Sequence, residues 1–214
     1  LTLFPIGGLK NTVDVVRRPA GPHCPENPGG PMRKVTSGLF HSVDGVVSEP
    51  NLWQFNSFDE DLGQGLTGVM ERVDTVLLGR VNYQEWAGYW PTAAADQGFA
   101  DFINGVQKFV ASRTLTEPLE WQNSRLIQGP LEDFVADLKQ GDGGEIAVMG
   151  SISLVRQLLF AGLLDELTLM THPVVAGSGR HLFEAGDPTT RLRLTDQYRT
   201  SKGKVVSTYS LLGE

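Results

Sequence analysis

Met149-Gly150-Ser151-Ile152-Ser153 joins an apolar run, Ile146-Ala147-Val148-Met149, to an amphipathic run from Leu154 to Phe160. The first run reads as a strand and the second as a helix. A strand that ends in small residues and enters a helix leaves free backbone N–H groups at the helix start. Those donors, with the positive end of the helix dipole, make a site for phosphate. Gly and Ser at such a turn also serve simply as caps, so the stretch does not decide alone. Leu78-Gly79-Arg80 and Ala111-Ser112-Arg113-Thr114 repeat the pattern, placing small or cationic residues just after an apolar run. Three such strand ends in one sheet point to a large phosphorylated cofactor.

The chain has 214 residues, enough for one sizeable domain. Its net charge of −7 argues against a nucleic-acid partner, whose phosphates it would repel. A phosphorylated small molecule needs only a local basic pocket. No apolar run reaches the roughly 18 residues of a membrane span, and no signal-peptide pattern is present. The single cysteine, Cys24, rules out an internal disulfide and a Cys-rich zinc cluster. The expectation is a cytoplasmic protein with no membrane partner.

Residues 1–31 hold six of the twelve prolines and five glycines, and the reading is an N-terminal extension. The domain proper is expected over 32–214. From Met32 strands and helices alternate. Strands are expected at Lys34–Phe40, Thr75–Leu78, Phe109–Ala111, Glu145–Met149 and Glu166–Val175. Helices are expected at Leu62–Val73, Phe99–Val106 and around Leu131, Phe134, Val135 and Leu138, whose spacing is helical. The helix after Ser153 ends at Gly162, a C-cap. Residues 50–60 read as a loop. Leu192–Arg199 and Val205–Leu211 form a closing antiparallel pair. This order predicts an α/β fold with a mostly parallel sheet and an antiparallel C-terminal edge.

Gly63, Gly65 and Gly68 spell G-x-G-x-x-G, but they follow the acidic segment Phe58-Asp59-Glu60-Asp61 rather than a strand. They read as packed or flexible helix glycines, not a dinucleotide fingerprint. There is no G-x-S-x-G elbow, no metal spacing among His23, His41, His172 and His181, and no zinc-deaminase signature. Arg80 offers a guanidinium to phosphate, or is a surface arginine at a strand end. Ser112, Arg113 and Thr114 could grip a ribose 2′-phosphate. Asp44 either hydrogen-bonds a substrate or makes an Asp-Gly turn with Gly45. Thr171 either meets a ring or satisfies the backbone. Of Trp53, Phe55, Phe58, Tyr83, Trp86, Tyr89 and Trp90, most are core residues, and some could line a pocket for a planar heterocycle.

Taken in order, Ser42-Val43-Asp44-Gly45, Leu78-Gly79-Arg80-Val81-Asn82-Tyr83, Ser112-Arg113-Thr114-Leu115, Gly150-Ser151, Asp165-Glu166-Leu167 and His172 to Gly179 resemble the C-terminal reductase domain of riboflavin biosynthesis. That domain shares the dihydrofolate reductase fold, and the resemblance spans about residues 33–212. It implies a three-layer dihydrofolate-reductase-like architecture and NADPH as hydride donor. It places Gly79, Arg80, Ser112, Arg113, Thr114, Gly150, Ser151, Ile152 and Ser153 on the cofactor, with Arg113 favouring NADPH over NADH. Asn82 stands where the dihydrofolate reductase pattern has threonine. Asp44 and Thr171 become the catalytic candidates, and Trp53 and Phe58 the substrate-binding candidates. A homodimer is expected, because relatives often form one. The expected activity is reduction of a pteridine or (ribosylamino)pyrimidine, as in 5-amino-6-(5-phosphoribosylamino)uracil reductase. The alternatives are a dihydrofolate reductase and a non-catalytic NADPH-binding sensor.

Overall fold

The structure, a computed structural model, describes residues 32–55 and 58–212. The extension expected over residues 1–31 lies outside the described residues. The strands are β1 (Val35–Ser42), β2 (Val73–Gly79), β3 (Gln107–Ala111), β4 (Ser124–Leu126), β5 (Glu145–Val148), β6 (Glu166–His172), β7 (Leu192–Arg199) and β8 (Val205–Leu211). Six α-helices join them: α1 (Pro50–Trp53), α2 (Glu60–Met70), α3 (Arg80–Ala87), α4 (Gln97–Gly105), α5 (Leu131–Gln140) and α6 (Ile152–Phe160). They form one eight-stranded sheet in the order β4-β3-β2-β5-β1-β6-β8-β7. Pairing is parallel from β4 through β6, and antiparallel for β6–β8 and β8–β7.

Side chains alternate across a strand, so one sheet must bury two faces. Leu77, Ile146 and Val148 point to one face and pack against Val135 of α5 and Val155 and Leu158 of α6. Val76, Leu78 and Val110 point to the other, against Tyr83 of α3, Ile103 of α4 and Trp90. On that second face, farther along the sheet, Leu62 of α2 covers Met170 and Val206. Helices on both faces of a central sheet give the three layers expected of the dihydrofolate reductase type.

Local chemistry sets the helix ends. Asp59 caps α2 by accepting the Leu62 N–H at 3.0 Å. Gly162, at φ +72°, closes α6 with bonds from its own N–H to Leu159 O and from Leu163 N to Leu158 O. Gly63, Gly65 and Gly68 lie within α2. A Cβ on Gly65 would stand 2.7 Å from the Tyr198 hydroxyl, so this glycine serves packing. The loop expected over residues 50–60 is bounded by helix at both ends, because Pro50 starts the short α1 and Glu60 and Asp61 already form the first turn of α2.

The crossover from β2 runs to β3 through α3 and α4, on one face. That from β5 runs the other way to β6 through α6, on the opposite face. β2 and β5 are neighbours, so the chain leaves them in opposite directions and opens a crevice at their carboxyl ends. In α/β sheets this is where ligands bind.

Candidate active site

Gly79 ends β2 and Ser151 precedes α6, and the two turns touch across the crevice. A Cβ on Gly79 would lie 2.5 Å from the Ser151 hydroxyl. Gly150 takes φ +70° and has the Asn82 side chain against it, where a Cβ would collide with the amide. Neither Gly79 at the start of α3 nor Ser151 at the start of α6 caps its helix with a side chain. The first N–H groups of both helices are therefore available to a ligand in the crevice.

A cleft of ≈ 820 Å³ opens there. All nine residues expected on the cofactor line it: Gly79, Arg80, Ser112, Arg113, Thr114, Gly150, Ser151, Ile152 and Ser153. Its charged lining is Arg80, Arg113 and Arg180 against Glu132, a net positive field suited to phosphates. The Ser112 hydroxyl accepts the N–H groups of Thr114 (3.1 Å) and Leu115 (3.0 Å), which shapes the β3 turn that presents Arg113. The cleft fits a dinucleotide phosphate: close backbone approach at two glycines, two open helix starts and several guanidinium groups.

A second cleft, of ≈ 330 Å³, joins the first. Asn82, Gly150, Ile152 and Arg180 line both, and so form the seam between them. Phe40, Trp86, Phe99 and Met149 give the second cleft apolar walls, and Glu49 and Glu85 give it carboxylates.

The four residues expected on the substrate side are elsewhere; none lines either cleft. Asp44 accepts the Ser42 hydroxyl (2.6 Å) and the N–H groups of Ala176 (2.9 Å) and Gly177 (2.8 Å). These bonds, the Ser42 one foremost, hold its carboxyl well below the usual carboxylate range, which makes it a poor proton donor. Thr171 lies beside His41 in the β1–β6 ladder, with its hydroxyl 3.4 Å from the ring Nδ1. Trp53 is buried, donates its indole N–H to Ser48 O at 2.9 Å and sits edge-on to His172. Phe58 packs with Leu62, Met170 and Val206. All four lie outside both clefts, in the loops and strands behind them.

Specific contacts hold those loops and strands. The 43–48 loop clamps the 176–181 loop: Val47 N donates to Arg180 O (2.9 Å), Arg180 N donates to the Ser48 hydroxyl (2.8 Å), and Val46 bridges His181. Arg180 is thereby fixed at the seam. The amide nitrogen of Gln54, just after α1, lies 3.0 Å from His172 Nε2, so α1 is tied to the end of β6. Burial first, then the Lys204 charge, pushes the His172 pKa down to about 4 and keeps the ring neutral. Asp59 forms a buried ion pair with Lys204 at 2.9 Å. Burial would raise its pKa, but hydrogen bonds from Thr200 and Lys204 hold it down to about 2. Of the acidic trio Asp59, Glu60 and Asp61, Asp59 is thus committed to structure.

The strand order, the helices on both faces and the crevice between β2 and β5 define a dihydrofolate-reductase-like α/β protein. The chain belongs to the RibD C-terminal domain family, whose profile matches residues 33–206. It is 28% identical over 181 residues to the uncharacterized protein YyaP of Bacillus subtilis, covering 83% of this chain and 95% of that one. A putative riboflavin biosynthesis protein from Shewanella sp. PV-4 superposes with a TM-score of 0.65 at 21% identity, over 84% of this chain and 99% of that one. Dihydrofolate reductase from Enterococcus faecalis, complexed with NADP(H), superposes with a TM-score of 0.52 at 12% identity, over 84% and 97% of the two chains. Among the described residues no helix is long and apolar enough to cross a membrane.

Proposed function

We propose that this chain is an NADPH-dependent reductase of a planar nitrogen heterocycle, a pteridine or a (ribosylamino)pyrimidine. One observation carries the reading: a basic cleft at the sheet's switch point joins a smaller aromatic cleft, and Asn82, Gly150, Ile152 and Arg180 are common to both. Membership of the RibD C-terminal domain family and the NADP(H) complex of the Enterococcus faecalis enzyme support it.

In this reading NADPH, when bound, supplies the hydride. The chain's own work is orientation. The helix starts after Gly79 and Ser151 receive phosphate, and Arg113 receives the 2′-phosphate that distinguishes NADPH from NADH. Gly150, with no side chain, lets Asn82 stand at the seam, where the amide can fix the angle between two planar rings. Trp86, Phe99 and Phe40 exclude water and offer flat surfaces. Productive transfer needs reacting atoms about 3–3.5 Å apart, and the lining shared by the two clefts lets their occupants meet. Asp44 is left out of proton transfer, which falls to water. The homodimer remains part of this proposal; β7 is an outer edge strand of the sheet, where a second copy could pair.

The test is oxidation of NADPH, followed by loss of its nicotinamide absorbance, against a panel of dihydropteridines and ribosylaminopyrimidines. Turnover of a panel member, reduced by substitution of Asn82, supports the reading. Tight NADPH binding with no turnover of any member would replace the reductase by a cofactor-binding sensor.

A further inference from the structure

The two clefts carry opposite charge. The larger is lined by Arg80, Arg113 and Arg180 against a single carboxylate, Glu132. The smaller is lined by Glu49 and Glu85 against a single guanidinium, Arg180, which it shares with the larger. Anionic groups are therefore favoured on one side of the seam and disfavoured on the other.

Both carboxylates are placed to meet a ligand. Glu85 lies on α3 three residues after Asn82, so the two share a helix face. Glu49 faces the cleft from the residue before α1 and is held at φ +45°, a left-handed conformation that a non-glycine residue adopts at a cost. Strain of this kind gathers at ligand sites. Among the described residues neither carboxylate is engaged in an ion pair. An ionised carboxylate only accepts hydrogen bonds. Between the walls formed by Phe40, Trp86 and Phe99, it suits a flat ring rich in N–H donors.

Building on the reductase reading, we infer that the substrate is an unphosphorylated, amino-substituted heterocycle of the pterin or diaminopyrimidine class, selected by Glu85 and Glu49 and discriminated against when it carries a phosphate. Amino and ring N–H donors meet the carboxylates in charge-assisted hydrogen bonds. A phosphoribosyl group would bring two further negative charges into a ≈ 330 Å³ space that already holds two carboxylates. Among the described residues the only cation lining it is Arg180, which also lines the basic cleft. This separates the chain from reductases whose substrate bears a ribose phosphate, while leaving the cofactor cleft as described.

The experiment is a tryptophan-quenching titration of the whole protein, with and without saturating NADP⁺. The probes are pterin, 5-amino-6-ribosylaminouracil and the same compound with its 5′-phosphate. Pterin and the unphosphorylated riboside bind, and the phosphate weakens the riboside about tenfold, the scale of one unfavourable charged contact. Glu85→Gln and Glu49→Gln each weaken pterin about tenfold, leave NADPH affinity unchanged and narrow the phosphate penalty. Both side chains are exposed, so neither substitution threatens folding. Tighter binding of the phosphorylated probe, pterin binding indifferent to both substitutions, or no binding of any probe overturns the assignment. Charge selection that persists in a protein unable to bind NADPH supports it and overturns the cofactor reading alone.

Discussion

The carboxylate of Asp44 accepts the backbone N–H of Ala176 at 2.9 Å, which ties the end of β1 to the loop that carries Arg180. The neighbouring bond from Gly177 N, at 2.8 Å, completes the clamp. On the proposed function, Asp44 is a positioning residue for Arg180. Asp44→Asn turns an acceptor oxygen into a donor that faces backbone N–H groups. We expect NADPH and heterocycle affinity each to fall about tenfold, as for loss of a charged hydrogen bond. Adding Asp44→Asn to Arg180→Ala should then do little more than Arg180→Ala alone. Full additivity of the two losses in a binding titration would give Asp44 a separate role.

Arg113 is exposed at the edge of the basic cleft, where the Ser112 turn presents it. Arg113→Ala should weaken NADPH by about tenfold or more and change NADH little, because only NADPH carries the 2′-phosphate. Titration of both cofactors checks this. Equal loss of both would place the 2′-phosphate elsewhere.

Gly150→Ala forces a side chain into a residue at φ +70° and against the Asn82 amide. The left-handed backbone alone costs roughly 1–2 kcal/mol. Thermal unfolding should show a lower Tm, and NADPH affinity should fall with it. Replacing Asn82 by Ala in the same chain relieves the collision but not the backbone strain, so only part of the stability should return.

His172 supplies a pH signature. Its folded pKa of about 4 lies below the ordinary 6.5, so between those values the unfolded chain binds the proton and the folded chain does not. Stability therefore falls as pH drops from 6.5 toward 4, by about 3 kcal/mol from this residue. Denaturant titrations across that range should show the loss, and His172→Gln should flatten it by a similar amount. The Asp59 carboxyl acts in a separate window. Its stabilisation is complete above the ordinary value of 3.8 and is lost as pH falls through about 2.

The Asp59–Lys204 pair is fully enclosed, with side-chain exposures of 3% and 0%. Lys204→Met leaves a buried carboxylate unpaired, which should cost about 3–5 kcal/mol. Adding Asp59→Asn should recover part of that in the same unfolding assay.

Much of this architecture is legible in the chain. The bounds Leu192–Arg199 and Val205–Leu211 can be read outright, because an alternating pair around Ser201-Lys202-Gly203 has few other solutions. The lining of the basic cleft is equally readable, since each of its turns is a short contiguous motif at a strand end. The second cleft is not. Its walls come from β1, α1, α3, α4 and the Arg180 loop, and no spacing in the sequence brings those together. α3 hides further, because Arg80–Ala87 is polar and buries only Tyr83. The spacing of Asn82 and Glu85 signals a shared face only once that helix is known. Asp44 and Thr171 stand at strand ends as catalytic groups often do, but their polar atoms are turned to neighbouring loops and strands.

Titration of the unmodified protein with NADPH, followed by tryptophan quenching and nicotinamide fluorescence, tests the central claim most directly. Trp86 lines the second cleft, next to the seam formed by Asn82 and Gly150, and reports arrival there. The account predicts saturable binding in the micromolar range, with NADH about tenfold weaker or worse, as for loss of a charge-assisted phosphate contact. Absence of saturable binding by either nucleotide would contradict it.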